Sequence, residues 1–92
     1  MAHFLHVGFN FEGPITPQKM DELKSLFNNA EDWFRYAANC WILWTAESAQ
    51  EWYEEIRPHL GEKGRVFICR LDITHRQGWM GKGFWDWLRK ER

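Results

Sequence analysis

A chain of 92 residues is long enough for one hydrophobic core and too short for two, so a single domain spanning 1–92 is expected. A formal charge of −1 excludes a net field that would drive the chain onto nucleic acid or an anionic membrane. No apolar run reaches membrane-spanning length, so neither a membrane partner nor a membrane anchor is expected.

Residues 3–11 alternate, with Leu5, Val7, Phe9 and Phe11 on one side and Phe4, His6, Gly8 and Asn10 on the other. That period of two predicts a strand with one strongly apolar face, ended by Glu12-Gly13-Pro14. Thr16-Pro17 then opens a helix, Thr as N-cap and Pro in the first turn, with Met20, Leu23, Leu26 and Phe27 as its apolar stripe. Asn28-Asn29 closes it.

The stretch from Asp32 to Ser48 holds three of the seven tryptophans and is divided by a turn-like Ala37-Ala38-Asn39. Aromatic and β-branched side chains suit a pleated, half-buried surface, so the stretch reads as an antiparallel hairpin. Both faces of its second strand are apolar: Cys40, Ile42 and Trp44 oppose Trp41, Leu43 and Thr45. Both must therefore be covered.

Ser48-Ala49-Gln50-Glu51 is a capping box that starts a second helix, with Trp52, Ile56 and Leu60 on its inner face. Pro58 is expected to distort its last turn before Gly61 ends it. Arg65 to Ile73 alternates again, Phe67, Cys69, Leu71 and Ile73 against Val66, Ile68, Arg70 and Asp72. A glycine-punctuated loop from His75 to Gly83 leads to a short terminal helix at Phe84–Leu88.

The order is strand, helix, strand, strand, helix, strand, then a helical tail. It predicts an α+β, ferredoxin-like βαββαβ core over 1–74, followed by a loop and helix over 75–92. In that arrangement both helices lie on one face of a four-stranded antiparallel sheet. The apolar residues of the other face need the tail or a second subunit to bury them. Cys40 and Cys69 lack the spacing of a disulfide framework and read as buried free thiols, which places the chain in a reducing cytoplasm.

Several stretches together resemble the small bacterial proteins described as SinR-like, distant relatives of the CRISPR adaptation endoribonuclease and of virulence-associated protein D. The carriers are Trp33-Phe34-x-Tyr36, Cys40-Trp41-Ile42-Leu43, Arg57-Pro58-His59-Leu60 and Arg65-Val66-Phe67-Ile68-x-Arg70-Leu71. The tail Gly78-Trp79-Met80-x-x-Gly83-Phe84-Trp85-Asp86-Trp87-Leu88 matches as well. The resemblance implies a homodimer built on the open sheet face. With the alternation it assigns Phe4, His6, Ile68, Arg70 and Trp41 or Trp44 to that interface. It also implies a test of activity. The nuclease relatives carry a metal-binding aspartate at the end of the first strand, where this chain has Phe9-Asn10-Phe11. Asn10 keeps an oxygen but lacks the charge that a Mg²⁺ or Mn²⁺ site depends on, and Glu12 is the nearest substitute. No catalytic residue and no cofactor is therefore expected outside a metal-dependent nuclease reading.

Charge is unevenly spread: residues 1–60 sum to −5 and residues 61–92 to +4. Arg35, Arg70 and Arg76, with Trp79 nearby, are the candidate residues for a nucleic-acid surface. A second expectation for Arg70 is an ion pair at the dimer interface, and for the tail tryptophans a core plug. His3, His59 and His75 show no metal-ligand spacing, and His6 and Asn10 lie about 13 Å apart along one strand. The reading that follows is a cytoplasmic homodimer with an interaction or architectural role. Its rivals are a divalent-metal nuclease and a non-catalytic nucleic-acid binder.

Overall fold

The computed structural model describes all residues from Met1 to Arg92. The elements are β1 (His3–Asn10), α1 (Pro17–Phe27), β2 (Asp32–Ala37), β3 (Cys40–Thr45), α2 (Ala49–Ile56), β4 (Arg65–Leu71) and α3 (Lys82–Arg89). The strands form one four-stranded sheet in the order β2-β3-β1-β4, every neighbouring pair antiparallel. The fold is therefore α+β.

Local chemistry sets the helix ends. The Thr16 hydroxyl accepts from the Lys19 N–H (3.1 Å), capping α1 one residue before Pro17. At α2 the capping box is reciprocal: Glu51 N–H donates to Ser48 Oγ (3.1 Å) and Ser48 N–H to Glu51 Oε1 (3.2 Å). Pro58 lies in a single 3₁₀ turn, Arg57–His59, that tightens the end of α2 as its missing N–H requires. Gly61 then turns the chain at φ +70°, a conformation that costs most other residues steric energy.

One face of the sheet packs on α1 and α2. Leu5, Val7, Phe9, Trp41 and Leu43 meet Leu23, Phe27, Trp52, Ile56 and Leu60 in the core. The Trp52 indole N–H donates to the buried Thr45 hydroxyl (3.1 Å), so the one buried polar residue of this layer is satisfied.

The opposite face is partly covered by α3. The Phe84 and Trp87 rings pack against Phe34 with centroids 6.0 and 5.6 Å apart, and Trp87 reaches Phe4 at 5.9 Å. Leu88 and Ile42 are buried on this side. The tail thus docks on its own chain, over the β2 edge of the sheet, and leaves the β4 side of that face uncovered.

Register corrects three placements. Trp41 pairs with Val7, Ile68 with Val7 and Arg70 with Leu5, so all three belong to the α1–α2 side. Phe4, His6 and Trp44 do lie on the other face, but α3 and the residues after it now cover Phe4 and Trp44. The cysteines differ too: both are free, and both are only half-buried.

Candidate functional site

Between α3, the preceding loop and the sheet lies a cavity of about 330 Å³ with a mostly apolar wall. Its sheet side is His6, Tyr36 and Ile42, and its outer side includes Met80, Phe84 and Trp85. Strand alternation brings the polar pair together: His6 on β1 and Tyr36 on β2 project from the same face across β3. His6 Nε2 and the Tyr36 hydroxyl are 2.7 Å apart, with the imidazole tautomer deciding which one donates. Burial, helped by the neighbouring Cys40 sulfur, pushes the Tyr36 hydroxyl up to about 12.

Burial also holds the His6 imidazole below its ordinary pKa. The unfolded chain then takes up a proton near pH 6.5, before the folded protein does. Stability that is fully present above that point is lost as pH falls from there through the folded pKa. Thermal melts should show the midpoint dropping across this acid window, and His6→Gln should flatten the slope. An unchanged slope in that variant would assign the acid sensitivity elsewhere.

The positions that bear on metal chemistry lie at the far end of β1. Asn10 is its last residue, opposite Arg65 of β4. Asn10, Glu12, Glu62, Lys63 and Arg65 line a separate, strongly polar pocket of about 330 Å³. Glu12 falls beyond the strand, just before Gly13 turns the chain at φ +81°. Its carboxylate lies 3.4 Å from Lys63 Nζ. No three His, Cys, Asp or Glu side chains converge anywhere in the molecule as a metal would require.

The three candidate arginines are dispersed. Arg35 is on β2 and Arg70 on β4, the two opposite edges of the sheet, separated by roughly 14 Å at three inter-strand spacings. Arg35 donates twice to the Ala38 carbonyl (3.1 and 2.7 Å) and covers the Trp41 ring at 5.4 Å. Arg76 is in the loop before α3 and donates to the Ile73 carbonyl (3.1 Å). No common basic groove joins them.

Two residues of interest escape a reading of the chain alone: Tyr36, which meets His6, and Asp32, which holds the residues after α3. The usable signal was the alternation of β2, which places Asp32, Phe34 and Tyr36 on one face. Compared with family models, curated proteins and solved structures, the chain gives no significant match. No helix is long and apolar enough to cross a membrane.

Proposed function

We propose that the chain is a non-catalytic interaction protein that pairs with a second copy of itself through β4 and the uncovered strip beside it. The observation that carries this reading is Phe67, 66% exposed in the middle of a sheet-edge strand. Around it the run Val66-Phe67-Ile68-Cys69 has no proline and no charge to discourage pairing. Tyr53 of α2 adds a second exposed ring, and with Ala49, Val66 and Ile68 it lines a shallow apolar groove along the same edge. An apolar edge of this kind, bounded by the exposed Arg65 and Arg70, is a template for another strand, and a two-fold pairing of β4 with β4 satisfies both edges at once.

The finer fold reading proposed with it is the ferredoxin-like one. The order β2-β3-β1-β4, with α1 joining β1 to β2 and α2 joining β3 to β4, supports it. The SinR-like kinship is proposed on the sequence stretches that carry it. Size-exclusion chromatography with light scattering at tens of micromolar is expected to give a dimer, and Phe67→Glu a folded monomer whose melting temperature no longer rises with protein concentration. A monomeric wild type would overturn the reading. The metal-dependent nuclease reading has one observation in its favour, the shared pocket of Asn10, Glu12 and Glu62. Cleavage of RNA or DNA with Mg²⁺ or Mn²⁺, abolished by Glu12→Ala, would put it first.

A further inference from the structure

Asp32, Trp44 and Phe4 stand side by side across β2, β3 and β1, because Trp44 pairs with both of the others. Trp87 of α3 closes over this row. The guanidinium of Arg92, three residues beyond α3, sits inside. Its central carbon lies 4.5 Å from the Trp87 ring centroid, 5.2 Å from Phe4 and 5.6 Å from Trp44. Its Nη2 lies 3.3 Å from Asp32 Oδ2, and its side chain is only 9% exposed. Lys90 shares the same carboxylate oxygen at 3.2 Å.

Three aromatic faces and one carboxylate around a planar cation make a built receptor and not a chance surface contact. Each ring offers its negative face to the charge, and desolvation strengthens the attraction. A guanidinium stacks on flat rings while its fork meets a carboxylate, which an ammonium does less well. Burial pushes the Asp32 carboxyl up, but the nearby Trp87 indole N–H and the hydrogen bonds from Lys90 and the Trp33 N–H outweigh it and hold the carboxyl below its ordinary value. The Trp87 indole N–H, buried near that carboxylate, still has no partner in full hydrogen-bond geometry. Three of the four walls belong to the sheet and do not depend on Arg92 for their position.

We propose that this cage is a recognition site for an arginine side chain, filled in cis by Arg92 and open to an arginine-bearing polypeptide that displaces it. A tethered occupant acts at an effective concentration of about millimolar. The wild-type protein therefore hides the site from dilute ligands, and a partner gains entry by adding contacts elsewhere or by drawing residues 90–92 away.

The test uses full-length Arg92→Ala, titrated with ethylguanidinium and, in parallel, with ethylurea, its neutral planar counterpart. Tryptophan fluorescence and the thermal midpoint are the readouts. Arg92→Ala should respond saturably to ethylguanidinium at millimolar concentration and only linearly to ethylurea. Wild type should need about twofold more, because a tether at about millimolar effective concentration competes with a ligand of millimolar affinity, and the double variant Arg92→Ala/Asp32→Asn about fivefold more, the loss of one partly exposed ion pair. A linear response in Arg92→Ala, or one equal to wild type, would overturn the proposal. Should Arg92→Ala fail to fold, Arg92→Lys retains the charge. Ethylguanidinium must then displace the lysine at concentrations that leave wild type unaffected, and its failure to do so would be equally fatal.

Discussion

Replacing Trp52 by alanine is expected to leave the protein at the edge of unfolding. The side chain is fully buried among Phe27, Ile56 and the β1–β3 face. Truncating a core tryptophan to alanine costs about 3–5 kcal/mol in lost transfer energy and cavity. Thr45 then loses one of its two donors, keeping the Glu47 N–H, which adds about 0.5–1.5 kcal/mol. A domain of this length has roughly 5–14 kcal/mol in total, so the loss takes about a quarter of it at least and all of it at worst. Trp52→Phe fills most of the volume but removes the donor, and should cost far less. Urea unfolding of the two variants checks both values. Equal midpoints would mean that the hydroxyl contact, and not the volume, dominates.

Deleting residues 79–92 is expected to have an effect of comparable size by another route. The deletion removes Phe84, Trp85, Trp87 and Leu88 and bares Phe4, Phe34, Ile42 and Trp44 on the sheet. A contiguous aromatic patch of that kind exceeds what soluble monomers normally expose. The shortened protein should melt several degrees lower, bind a hydrophobic dye and aggregate on standing. If it keeps the melting temperature and solubility of the full chain, α3 contributes no burial that matters.

Much of the element order was legible because its signals are local. Thr16-Pro17, Ser48 with Glu51, and Pro58 each act within one turn, and the structure has each where the pattern puts it. Strand alternation also separated the two residue sets of β4 correctly. What alternation cannot say is which set faces the helices, because a shift of one residue in pairing inverts every side chain. Arg70, expected on the open face, therefore turned out opposite Leu5 on the covered one, and Trp41 went to the core while Trp44 did not. The cage lay further still from view. Asp32 and Arg92 are 60 positions apart, and neither residue carries a mark that names the other. Tertiary packing alone brings them together.

β3 is enclosed on every side: β1 and β2 flank it, α1 and α2 lie against Trp41 and Leu43, and α3 lies over Ile42. Its amide protons meet solvent only when the whole sheet comes apart. α3 is a short helix at the end of a largely exposed loop from 72 to 81, and it is the element expected to lift while the sheet stays intact. Hydrogen exchange is therefore expected to run on two clocks. One would be slow and belong to the chain as a whole; the other would be fast and set how often the row of Asp32, Trp44 and Phe4 is briefly offered to water.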